Sequence, residues 1–189
     1  MVLTKTQMTV EAFDEWVLQP ENADHDYEYI GGEIVEVVSN QYSSEIGMYI
    51  GAMITVYVTQ HRLGRVTGAD GGYKVEGERY IPDAAFISLE KQPYSSTETY
   101  NSNPPDLAVE VLSPTNSAAQ MRIKVVNYLR AGTLLWVVDP DAQTVEVYAP
   151  DKKAQRLTID AILDGGSVLL GFTLPIKDIF PEKPPQDKE

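Results

Sequence analysis

The sequence predicts an α/β (α+β) fold, a mixed sheet with helices on its faces, and two patterns carry that prediction. Segments with apolar residues three and four apart alternate with short runs rich in Val, Ile, Leu and Tyr, and glycine or proline punctuates most junctions. At 189 residues, 43% of them hydrophobic, the chain is long enough for one domain with a sizeable core rather than two. Residues 1–180 are expected to form that domain, with a flexible, charged and proline-rich tail at 181–189.

Each element follows from local chemistry. Val10, Phe13, Trp16 and Val17 recur at helical spacing behind Thr9, so Thr9 to Leu18 reads as a short amphipathic helix. YEYIGGEIVEV, from Tyr27, gives two short strands around Gly31-Gly32, a dipeptide suited to a tight hairpin turn. From about Ser43 to Leu63, Ile46, Ile50, Met53, Ile54 and Tyr57 predict a long helix that stops near Gly64. RVTGADGGYKVEGERYIPDAAFISL reads as strands joined by glycine-rich turns, with Pro82 marking a strand edge or a bend. Residues 90 to 105 read as a polar loop, and Leu107 to Leu112 as a central strand broken only by Glu110. Ser113-Pro114-Thr115-Asn116 ends that strand and caps a helix from Ser117 to Ala131, closed by Gly132. LLWVVDPDAQTVEVYAP is a hairpin turning at Asp139-Pro140-Asp141, and one more strand is expected at Arg156 to Ile159. Trp16 and Trp136 are expected in the core.

Composition narrows the function. Without cysteine there is no disulfide, thiolate metal site or Cys nucleophile. No segment has the roughly 18 uninterrupted apolar residues of a membrane span, and MVLTKTQMTVEAF lacks the apolar core of a secretory leader. A cytoplasmic protein without a membrane partner is the expectation. The formal net charge of −13 weighs against a broad electrostatic footprint on nucleic acid, although a partner subunit or a local basic rim can supply positive charge. His25 and His61 have no neighbour at metal-ligand spacing, Ser113 lacks a nucleophile elbow, and the glycines from Gly64 to Gly72 precede a hairpin rather than a helix.

Two carboxylates stand out. Asp83 in RYIPDAAFI and Glu110 in PDLAVEVLSP interrupt runs that otherwise read as buried strand, where a carboxylate needs a cation, a donor or a shifted pKa to offset lost hydration. Strand alternation puts Glu110 on one face with Ala108 and Leu112, and Leu107, Val109 and Val111 on the other. Asp83, Glu110, the Val111 backbone carbonyl and water together match the oxygen set that Mg²⁺ or Mn²⁺ takes. Lys124 lies one turn from Gln120 and one turn from Tyr128, on the border of the stripe of Met121, Val125 and Leu129. It could turn back over the sheet, where an ammonium orients a nucleophile or stabilises charge on a phosphate. The alternative is a lysine stem lying along an amphipathic helix with its amine in water.

The segments YEYIGGEIVEV, YIPDAAFI, PPDLAVEVLSPTN and KVVNYLRAGTLLWVVDP, in this order and spacing, resemble the family of "putative restriction endonucleases" numerous in cyanobacteria, within the PD-(D/E)XK nuclease superfamily. The resemblance covers most of the chain. It implies a restriction-endonuclease-like mixed sheet and a metal-dependent endonuclease hydrolysing phosphodiester bonds in DNA, with Asp83 and Glu110 on Mg²⁺ and a lysine serving the attacking water. The superfamily's lysine two residues after the acid is replaced here by Leu112, and Lys124 resembles the migrated replacement found in this family's following helix. Glu28 matches the family too and would complete the acidic cluster, the alternative being an exposed hairpin charge. The chain departs from the pattern at Gln120, where the family favours an acid, and at Glu45, where it favours a histidine. Those departures keep open a catalytically weak or inactive nuclease-fold protein acting as a binding or assembly module. A homodimer is implied as well, because many such nucleases pair to cut both strands.

Overall fold

The structure, a computed structural model, describes residues 8–113 and 117–182. Most of the expected tail, and residues 114–116 of the expected cap, lie outside the described residues.

The N-terminal elements follow the sequence closely. Helix α1 spans Val10–Trp16, and Thr9 caps it by accepting the Ala12 N–H at 3.3 Å. The hairpin β1 (Tyr27–Ile30) and β2 (Glu33–Glu36) turns at Gly31-Gly32, both with positive φ, which is what glycine permits at no steric cost. Helix α2 runs Gln41–His61, starting where the Asn40 side chain accepts the Ser43 N–H at 2.9 Å. It ends near Gly64, as expected, at Arg62, which takes the left-handed conformation of the cap at φ 54°. Gly64 opens β3, and a Cβ there would stand 2.1 Å from the Ile87 carbonyl oxygen. Its lack of a side chain lets β3 close on β6.

The remaining elements are β3 (Gly64–Thr67), β4 (Gly72–Val75), β5 (Glu78–Tyr80), β6 (Ala84–Ser88), β7 (Tyr100–Asn101), β8 (Leu107–Val111), α3 (Ala118–Arg130), β9 (Leu134–Asp139), β10 (Thr144–Tyr148), β11 (Gln155–Leu157), β12 (Ile162–Asp164) and β13 (Thr173–Pro175). The expected mixed sheet is six-stranded, ordered β11-β10-β9-β8-β6-β3, with β8 and β9 parallel and β6 antiparallel to β8. The N-terminal hairpin is not part of it. It belongs to a second, five-stranded sheet ordered β2-β1-β5-β4-β7, and β12 pairs with β13 separately. Strand β7 falls inside the segment expected as loop. The last strand of the large sheet is Gln155–Leu157 rather than the expected Arg156 to Ile159.

The large sheet separates α2 from α3. Ile46, Ile50, Ile54 and Val58 of α2 pack on Phe86, Leu107, Val109 and Trp136 from one face. Tyr128 of α3 joins Ala85, Ala108, Leu135 and Val137 on the other. Each fully buried isoleucine of α2 contributes roughly 1.5–3 kcal/mol by leaving water, enough in sum to fix the helix across the sheet. Trp136 is completely buried, whereas Trp16 is only partly so and packs on Tyr27 with α1.

Candidate active site

The site forms where β6 begins and β8 ends. A bend at Asp83 precedes β6, and the carboxylate turns in, Oδ2 accepting the Val111 N–H at 2.7 Å. Helix α2 closes over it because residue 47 is glycine: a Cβ there would lie 3.1 Å from the Asp83 Cβ, and one at Gly51 would lie 3.3 Å from the Ala84 Cβ. Strand β8 keeps the predicted alternation, with Leu107, Val109 and Val111 toward α2 and Ala108 toward α3. Glu110 is therefore directed to the α3 side, only 5% exposed.

There it meets Lys124. The ammonium donates to Glu110 Oε2 and to Glu28, each at 2.8 Å. Lys124 is 4% exposed, which rules out an amine held in bulk water. Glu28 is not an exposed hairpin charge either: from β1 it is buried, and its Oε1 also accepts the Ile81 N–H at 2.6 Å. Thus the second sheet supplies Glu28, the large sheet Glu110, the bend before β6 Asp83, and α3 the cation between the two glutamates. Tyr128, one turn beyond Lys124, donates its hydroxyl to Glu110 Oε1 at 2.9 Å. The Lys124 amine also lies 5.4 Å from the centre of the Tyr80 ring, within cation–π range.

The electrostatics are set by burial. Loss of water pushes the Asp83 carboxyl up to about 6, against the Val111 N–H and Lys124. It pushes Glu110 up to about 7, again against Lys124, while Glu28 and Asp83 raise it further. Burial alone would weaken the charge on Lys124, but Glu110 and Glu28 more than offset it and hold the amine above its ordinary range. Two carboxyl groups thus pair with one ammonium that stays charged, and a third, Asp83, stands near enough to feel its charge.

That imbalance, with the donor set, fits a hard divalent cation. Asp83 and Glu110 line one cleft with Val111, and in a strand the N–H and C=O of one residue project to the same edge. The edge whose N–H reaches Asp83 therefore also carries the Val111 carbonyl. Among the described residues, no three His, Asp or Glu side chains are grouped so as to hold a metal by themselves. A cation here would take two carboxylates, a carbonyl and water, the pattern of Mg²⁺ sites that keep several waters.

The same cleft is lined by Glu28, Lys124, Ser113 and Gln120. Glu45, by contrast, is exposed on α2 and accepts from Gln41 Nε2 at 2.7 Å. Leu112 packs beside the α3-side core, and its carbonyl accepts the Ser43 hydroxyl at 3.1 Å, tying the end of β8 to the first turn of α2. His25 pairs with Glu36 at 2.8 Å, and His61 stacks on Tyr57. In the sequence Tyr128 merely stands one turn beyond Lys124, a position that assigns it no part in the site. The available signal was a tyrosine on the core side of α3, since a buried phenol seeks a hydrogen-bond partner.

A mixed sheet flanked by helices, with acids gathered at strand ends under a helix lysine, defines a restriction-endonuclease-like fold. It is similar to the crystal structure of a putative nuclease belonging to DUF820 from Anabaena variabilis ATCC 29413, with a TM-score of 0.79 and 25% identity over 92% of this chain and 97% of that one. Residues 10–177 match the family described as Uma2, putative restriction endonuclease, and the chain belongs to that family. Among curated proteins none matches. No helix among the described residues is long and apolar enough to cross a membrane.

Proposed function

We propose that this protein is a metal-dependent endonuclease of the PD-(D/E)XK type that hydrolyses phosphodiester bonds in DNA. One observation carries the proposal: the buried Lys124 ammonium, 2.8 Å from both Glu28 and Glu110, in a cleft that Asp83 also lines. Asp83, Glu110 and the Val111 carbonyl would hold Mg²⁺ or Mn²⁺. When bound, the ion supplies positive charge that polarises a phosphoryl oxygen and makes water more acidic. Lys124 orients the attacking water and opposes the charge that grows on the phosphate oxygens. Glu28 holds that ammonium in place through its ion pair, itself fixed by the Ile81 N–H. Water oxygen bonds to phosphorus as the ester P–O bond breaks, leaving a phosphate monoester and a hydroxyl.

A concerted cut through both strands takes two such sites, which a homodimer would supply, and a cytoplasmic location belongs to the same proposal. A second reading is favoured by Gln120 in the cleft wall and by the net charge of −13: a catalytically weak or inactive binding module on the nuclease fold. Incubating supercoiled and linear DNA with the wild-type chain and Mg²⁺, Mn²⁺ or a chelator separates the two. We expect nicking or linearisation that needs the cation. Intact DNA across a full titration of both metals would favour the binding module.

A further inference from the structure

Glu110 is held at both of its oxygens. Lys124 donates to Oε2 at 2.8 Å and the Tyr128 hydroxyl to Oε1 at 2.9 Å, from positions four apart and so on one face of α3. An ionised carboxylate only accepts, so the phenol gives its proton to the bond. Tyr128 is completely buried and packs against Tyr80 with ring centroids 5.3 Å apart. The Tyr80 hydroxyl instead accepts from Asn127 Nδ2 at 2.8 Å. Two neighbouring buried tyrosines therefore differ in what their hydroxyls reach, an amide in one case and a site carboxylate in the other. For packing alone, phenylalanine would fill the space of Tyr128 without a polar atom to satisfy.

We propose that Tyr128 is a positioning residue, fixing the rotation of the Glu110 carboxylate so that its remaining lone pairs face the cleft it shares with Asp83. Lys124 cannot do this alone. An ammonium is a point charge with rotatable donors, and the terminal torsion of a glutamate is broad, so one contact leaves the carboxylate free to turn. A second donor at the other oxygen stops it. The inference rests on the metal-site reading above, and it makes Tyr128 the outer partner of a ligand carboxylate, a role whose loss typically weakens metal binding 10–100-fold.

The test is Mn²⁺ binding by the full chain, followed by electron paramagnetic resonance, for wild type, Tyr128→Phe, Tyr80→Phe and Asp83→Ala, with circular dichroism on each. Asp83→Ala should abolish tight binding. Tyr128→Phe should raise the Mn²⁺ Kd about tenfold or more while Tyr80→Phe stays within about twofold of wild type. An unchanged Kd in Tyr128→Phe, equal weakening in both tyrosine variants, or loss of fold in Tyr128→Phe would each overturn the positioning role. If wild type and Asp83→Ala bind Mn²⁺ equally weakly, the metal site itself is wrong and the inference falls with it.

Discussion

At the scale of residues, the site is a cluster of charges largely withdrawn from water, with Glu28, Glu110 and Lys124 buried and Asp83 partly so. The Asp83 and Glu110 carboxyls are raised by burial from their ordinary values to about 6 and about 7. An acid raised in the folded state binds more protons there than in the unfolded chain, so between about pH 4 and pH 7 stability falls as pH rises. Lys124, whose pKa is raised, stays charged through that window and adds no slope of its own. The metal-free protein should therefore melt at a higher temperature at pH 5 than at pH 8. Asp83→Asn and Glu110→Gln should flatten that difference, and Mg²⁺ should raise the melting temperature more at pH 8 than at pH 5. Replacing Lys124 with Met leaves buried carboxylates without their cation, which typically destabilises by about 3–5 kcal/mol. In urea unfolding the loss should be larger at pH 8 than at pH 5, where the carboxyls can be protonated.

At the scale of elements, the site depends on how closely α2 lies on β6. A Cβ at Gly47 or Gly51 would already crowd Asp83 or Ala84, which must give by a few tenths of an ångström to admit it, so a branched side chain must move the helix or the strand. Gly47→Val should lower stability by about 1–3 kcal/mol, the usual range for overpacking, and weaken Mn²⁺ binding more than a valine placed at exposed Ala52. Equal metal affinity in the two variants would show that Asp83 does not depend on this contact. Much of this level was legible in the sequence. Helices α1, α2 and α3 and both hairpins announce themselves through periodicity and turn residues, signals carried within a few neighbouring positions. The second sheet did not, because β1 meets β5 through a single registered pair, Tyr29 with Arg79, and no local pattern encodes so distant a pairing. Strands β7, β12 and β13, two or three residues each, are too short to show an alternation. In the site, Asp83 and Glu110 were visible as carboxylates inside apolar runs. Glu28 and Lys124 were legible chiefly through the resemblance, since a hairpin glutamate and a helix lysine have ordinary surface roles. Tyr128 was hidden among the apolar residues of its helix.

At the scale of the molecule, the net charge of −13 must be reconciled with a polyanionic substrate. Each phosphate neutralised by a lysine or arginine contributes about −0.9 to the slope of log affinity against log salt. A site whose one central cation is already paired with two carboxylates has few such contacts to make. DNA affinity, measured by anisotropy in Ca²⁺ over a series of salt concentrations, should have a slope shallower than about −3. A slope near that of strongly basic DNA-binding proteins would point to a positively charged face apart from this cleft. In the proposed chemistry Asp83 and Glu110 act as charged ligands during strand cleavage. That role is tested most directly by the rate of supercoiled DNA nicking at saturating Mg²⁺ for wild type against Glu110→Gln, which keeps shape and removes charge. A fall of at least about a hundredfold in a variant that remains folded is the predicted result, in keeping with the loss of a central electrostatic group. Cleavage at the wild-type rate by Glu110→Gln would contradict the account.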